Sequence, residues 1–90
     1  MKISYDEKKR LKILTERGLD FEDTRHVFAD DHYQIEDLRK DYGEVRFRVW
    51  GFLRGERVSF VWTPRDYGRR IITMRHAHED EHKTRLNSLD

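Results

Sequence analysis

The rhythm of apolar and polar residues changes at residue 44. From there EVRFRVWGFLRGERVSFVWT alternates residue by residue, the pattern of half-buried strands. The first strand carries Arg46, Arg48, Trp50 and Phe52 on one face and Phe47, Val49 and Leu53 on the other. RGER reads as a hairpin turn, and beyond it Val58, Phe60 and Trp62 alternate with Ser59, Val61 and Thr63. PRDYG supplies a second turn, punctuated by Pro64 and Gly68, and RRIITMR a third strand.

Upstream of residue 44 the period is mostly helical. KISY at 2–5 alternates and suits a short first strand. Asp6 is a natural N-cap for DEKKRLKILTERG, where Leu11, Ile13 and Leu14 form an apolar stripe and Gly18 stands at the C′ position. Asp20 and Asp23 resemble a capping box with Asp in place of Glu, and Phe21, Val27 and Phe28 define a short helix over 21–29. ADDHYQIEDLRKDYG is polar and reads as a loop with an edge strand or a helical turn. AHEDEHKTRLNS predicts a last helix over 77–88. The order β-α-α-β-β-β-α implies one small α+β domain over 1–90, an antiparallel sheet with helices packed on one face and the other face open.

Composition narrows the setting. The chain is 41% charged and 36% hydrophobic, which allows only a modest core. It has no Cys, no apolar run near the length of about 20 residues that crosses a membrane, and no hydrophobic leader in MKISYDEKKR. A cytoplasmic protein without membrane contact is expected. The net charge of +1 says little, but its distribution says more: residues 44–76 hold eight Arg, no Lys and three acids. Guanidinium offers a planar fork to phosphate and stacks on bases, which ammonium does poorly. Phe47, Trp50, Phe52, Phe60, Trp62 and Tyr67 are interleaved with these Arg. Charge for a backbone and flat faces for bases are what single-stranded RNA requires. A solvated antiparallel face is also often Arg-rich, and half of these aromatics belong in a core.

One motif points elsewhere. His78-Glu79-Asp80-Glu81-His82 spells H-E-x-x-H, in which two imidazoles one helical turn apart can hold zinc. Only eight residues follow His82, none of them His or Glu, so a third ligand would have to come from His26, His32, His76 or a distant acid. The flanking residues are polar, as on a solvent-facing helix. A charged surface helix is the simpler reading, and no metal or other cofactor is expected.

The motifs taken together resemble the BrnT family of toxins. YDEKK…RGLDFEDTRHVFAD is similar to the opening of that family, with an aromatic-Asp pair, a following Lys, a Gly, a short helix start and a Phe-x-Asp. Glu44-x-Arg46 resembles its E-x-R, Gly51 follows in the expected strand, and RRIITMRHAHEDE resembles its closing signature, with Arg70, Arg75, Ala77 and Glu81 in register. The resemblance implies a RelE-like fold and a ribonuclease toxin of a type II toxin–antitoxin pair that arrests translation. It also implies a cognate BrnA-like, ribbon-helix-helix antitoxin, a hetero-oligomer with it, and DNA contact only through it. Here Glu16-Arg17 precedes Gly18 where the family carries Lys-His, Ile13 replaces an Asn, Thr73 a Ser and Arg85 a Tyr. These departures leave a second reading, a catalytically impaired toxin-fold binding module acting through the antitoxin complex and operator DNA.

Metal-free RNA cleavage needs a base for the 2′-hydroxyl, charge to stabilise the phosphorane and a proton for the 5′-oxygen. Arg70 and Arg75 are the candidates for the phosphate, though strict alternation puts them on opposite faces, so a bulge, a twist or the strand end must bring them together. Glu44 is a candidate base or an orienter of Arg. Arg46, Arg48 and Trp50 share a face and can follow an RNA strand, with Lys9 adding charge from the first helix. Glu44 and Arg46 can equally be a surface ion pair, and Lys9 a solvated helix lysine.

Overall fold

The computed structural model describes residues 1–81. In chain order it forms β1 (Ile3–Ser4), α1 (Glu7–Arg17), a 3-10 turn (Phe21–Asp23) running into α2 (Thr24–Ala29), β2 (Tyr33–Glu36), β3 (Phe47–Leu53), β4 (Glu56–Arg65) and β5 (Gly68–His76). The strands make one sheet in the order β1-β5-β4-β3-β2. The α+β architecture is the one expected. The polar stretch after α2 takes the edge-strand alternative, and β1 runs parallel to β5, so the sheet is mixed rather than wholly antiparallel.

Local signals set the helices. The Asp6 carboxylate accepts from the amides of Lys8 and Lys9 at 2.9 and 3.4 Å, and Gly18 ends α1 in the left-handed conformation at φ 69°. The Asp20 carboxylate caps the 3-10 turn through the amide of Glu22 and also takes both arms of Arg10, at 2.8 and 3.0 Å. The reciprocal half of the expected capping box goes elsewhere: the Asp23 carboxylate receives Arg54 at 3.2 Å.

The helices pack on one face of the sheet. Ile13, Leu19, Phe21 and Val27 meet Val49, Leu53, Val58, Phe60, Trp62, Ile71 and Met74 in a single core. Gly51 lies on this inner face because Val27 approaches so closely that a Cβ there would sit 2.5 Å from its Cγ1. Arg69, counted in the sequence among the basic residues of the sheet, also points inward, its guanidinium 4.1 Å from the centre of the Phe28 ring and 4.8 Å from that of Trp62. The β3–β4 connection is the two-residue turn Arg54-Gly55, with φ of 50° and 80°, a type I′ geometry suited to strand twist.

The outer face carries the alternate residues. Trp50 pairs with Ser59 and Arg48 with Val61, while on the far side of β4 Ser59 pairs with Arg75, Val61 with Thr73 and Thr63 with Arg70. Between Val61 and Trp62 the register slips by one, and Ile72 has no partner. This β-bulge supplies what the sequence required. One extra residue inverts the alternation along β5, so Arg70 and Arg75 occupy the same face.

Candidate functional site

The outer face has two ends with different chemistry. At the end formed by the β4–β5 turn, called here the Tyr67 end, cations gather around a few oxygens. The Glu44 carboxylate accepts from Arg46 Nε at 3.0 Å and from Arg65 Nη1 at 3.3 Å. These two guanidiniums, Arg46 first, hold its pKa below the usual carboxylate range. Thr63 donates to the Val45 carbonyl at 2.6 Å and accepts from Arg65 at 3.3 Å. Arg70 pairs across the ladder with Thr63 on one side and with Ser4 of β1 on the other. The Ser4 and Tyr67 hydroxyls share a hydrogen bond of 3.0 Å, and Lys2 Nζ lies 5.6 Å from the centre of the Tyr67 ring.

The first helix closes one side of this end. Lys9 lies one turn before the buried Ile13 and so on the same helix face. A groove of about 430 Å³ separates α1 from β5, with Lys9, Lys12, Arg17 and Thr73 among its walls. Partial burial is the main cause that lowers the Lys9 pKa, and the nearby Arg46 charge is the next. Lys9 of the helix and Thr73 of β5 thus line one groove, with the charge of Arg46, the residue before β3, close enough to be felt by Lys9.

At the opposite end, called here the Trp50 end, residues 77–81 turn back over the sheet. Arg75 donates to both oxygens of Glu81, at 2.8 and 3.1 Å. Glu81 also accepts the His78 amide at 2.9 Å and Trp50 Nε1 at 3.4 Å. The hydrogen bonds from the Arg75 guanidinium are the main cause that lowers the Glu81 pKa to about 2. Here the signature's second Arg and its final Glu are partners: one grips the other, and the pair starts the next helical turn at 79–81. Glu79, the glutamate of H-E-x-x-H, lies 3.9 Å from Arg57. His82 and most of the helix expected over 77–88 lie outside the described residues.

Of the residues predicted from sequence, Glu44 and Arg46 are paired and Lys9 feels the Arg46 charge, Arg70 lies beside Ser4, Thr63 and Tyr67, and Arg48, Trp50 and Arg75 form a further group at the other end. Trp50 corrects an expectation. The sequence predicts an RNA contact at its ring, yet it is 1% exposed, with Arg48 stacked 4.7 Å from its ring centre and Tyr33 6.0 Å away. Alternation assigned its face but could not tell what would cover it. Sequence reasoning missed Ser4 and Tyr67 as site residues, because only the pairing of β1 with β5 joins groups 63 positions apart.

No curated protein matches the chain. Residues 5–81 of the 90 match the family model described as the ribonuclease toxin BrnT of type II toxin–antitoxin systems. That span runs from the residue after Ser4 to Glu81, so it takes in Lys9, Glu44, Arg70, Thr73, Arg75 and Glu81 together. The chain belongs to the BrnT family of ribonuclease toxins of type II toxin–antitoxin systems.

Proposed function

We propose that this chain is a metal-independent endoribonuclease with a RelE-like fold that acts in the cytoplasm, cleaves RNA through attack by the 2′-hydroxyl and so inhibits translation. A ribbon-helix-helix antitoxin of the BrnA-like kind neutralises it in a hetero-oligomer, and any contact with operator DNA passes through that partner. The observation that carries this reading is the β5 bulge, which turns Arg70 and Arg75 onto one face with Thr73. The donor set favours charge stabilisation by the protein itself, because Arg70, Arg46, Arg65 and Lys9 already concentrate positive charge where a phosphate would lie.

The roles differ from residue to residue. Arg70 stabilises the scissile phosphate. Its partner on β4 is Thr63 and that of Arg75 is Ser59, four residues away, which is about 13 Å along a strand. The two Arg thus serve separate phosphates of one RNA strand, and Arg75 can do so only by sharing or leaving Glu81. Arg46 and Lys9 follow the backbone, and Arg48 extends the track toward Trp50. Glu44, held ionised between two guanidiniums, orients them and is a poor base.

Cleavage of a labelled single-stranded RNA, with and without a chelator, tests the proposal. Cleavage that survives chelation and leaves 2′,3′-cyclic phosphate ends is expected. Loss of cleavage on chelation defeats metal independence, and RNA binding without cleavage leaves only the binding-module reading. Antitoxin is expected to displace RNA, since one face cannot hold both; simultaneous binding at unchanged affinity refutes that part.

A further inference from the structure

We infer that Tyr67 is the proton-transfer residue of RNA cleavage, its hydroxyl set at the Tyr67 end by Ser4 and flanked by Arg70. This rests on the ribonuclease reading above and names the group that reading leaves open.

The groups at this end narrow the choice. The reaction needs a group that can take and return a proton beside the phosphate-binding cations. A guanidinium donates hydrogen bonds and does not serve as a base. Glu44 is occupied by two guanidiniums and held too acidic to be an effective base. His76 is spent at the far end of β5, where its Nε2 meets the Arg17 carbonyl at 3.0 Å. Tyr67 is 48% exposed, so substrate can reach it.

The position of the phenol is built by the fold. Gly68 follows it at φ 152°, and a Cβ there would collide with the Lys2 carbonyl oxygen. The Arg69 amide donates to that same oxygen at 2.9 Å. The missing side chain therefore lets β1 close on the turn, which brings Ser4 to the Tyr67 hydroxyl. The charged groups facing the phenol are Lys2 ahead of β1, Arg65 on β4 and Arg70 on β5, with Asp66 its neighbour in the turn. The Ser4 hydrogen bond lowers the phenol pKa most, and Arg70 and Arg65 lower it further.

The step balances with one group. The Tyr67 phenolate takes the 2′-hydroxyl proton, and the freed electron pair on O2′ forms the O2′–P bond. The P–O5′ bond breaks with its electrons on O5′. That oxygen takes the proton back from the phenol, which regenerates the phenolate beside a 2′,3′-cyclic phosphate.

The experiment compares wild type and Tyr67→Phe on one oligoribonucleotide across pH 6–10, with binding read on the same strand carrying 2′-deoxy sugars. Tyr67→Phe is expected to lose about 10²–10⁴-fold in rate, to keep its affinity within about twofold, and to lose the rising limb of the pH–rate profile. Incorporation of 3-fluorotyrosine at position 67, which acidifies the phenol without removing it, is expected to move that limb to lower pH. A folded Tyr67→Phe protein with wild-type rate and profile overturns the inference, as does an unmoved limb with 3-fluorotyrosine. Wild-type protein that binds but does not cleave fails the ribonuclease reading instead, so the two failures are distinguishable. Only a half-exposed hydroxyl is removed, and an unchanged melting temperature verifies that the fold remains.

Discussion

The two ends of the outer face are built from the same residue types and do different things with them. At the Tyr67 end, Arg46 and Arg65 share one carboxylate, and Arg70 faces hydroxyls from Ser4, Thr63 and Tyr67. At the Trp50 end, Arg75 has a carboxylate to itself, bound by both arms, and that carboxylate also holds the Trp50 indole and the His78 amide. An Arg with more oxygens than charges around it can still attract phosphate. An Arg saturated by a bidentate carboxylate mainly fixes structure. Arg70 and Arg75 lie five residues apart on β5, with the bulge at Ile72 between them.

The comparison breaks most visibly at Trp50. Trp50→Ala is expected to lower stability by about 3–5 kcal/mol, because a fully buried indole leaves a cavity; urea denaturation measures it. A loss below about 1 kcal/mol, with RNA affinity reduced instead, would return Trp50 to the role of a base platform. Next in size is Arg70→Ala, expected to reduce cleavage about 10²–10³-fold with the melting temperature nearly unchanged. Arg75→Ala is expected to reverse that order, with lower stability and smaller losses per folded molecule. Equal kinetic losses in both, with both proteins fully folded, would erase the distinction between the two ends.

Acid gives a smaller effect at one end. Glu81 has its pKa lowered from 4.5 to about 2, with Arg75 the largest cause. Its contribution to stability is therefore complete above about pH 4.5 and is lost as pH falls through about 2. Trp50 emission is expected to shift to the red over that window in a Trp62→Phe background, and Glu81→Gln to flatten the response. The smallest effect expected is from Lys9→Ala. Removing one phosphate contact should reduce the slope of log affinity against log salt by about 0.7, with a several-fold weaker complex at low salt. An unchanged slope would make Lys9 a solvated helix lysine.

Local signals were legible in the sequence and long-range ones were not. Asp6 and Gly18 marked α1 because capping depends on neighbours in the chain. Alternation after residue 44 sorted Val49, Phe60 and Trp62 from Arg48, Ser59 and Val61, since the period of a strand needs no partner. That Arg70 and Arg75 need a break in strict alternation to share a face followed from the sequence, but whether a bulge, a twist or the strand end supplies it did not, because no Gly or Pro marks Ile72. β1 is two residues long and pairs with the last described strand, so neither its direction nor its effect on Tyr67 could be read locally. The burial of Trp50 depends on what folds over it, and Glu81 lies 31 residues further on.

The pairing of β1 with β5 also sets a clock. Ser4 is made before its ladder partner Arg70 and before the Tyr67 hydroxyl, which lies 63 positions further along the chain. Translation adds about 5–20 residues per second, so Ser4 waits seconds for the groups that complete the Tyr67 end. The Tyr67 end therefore forms only after β5 has been made, however early β1 is available.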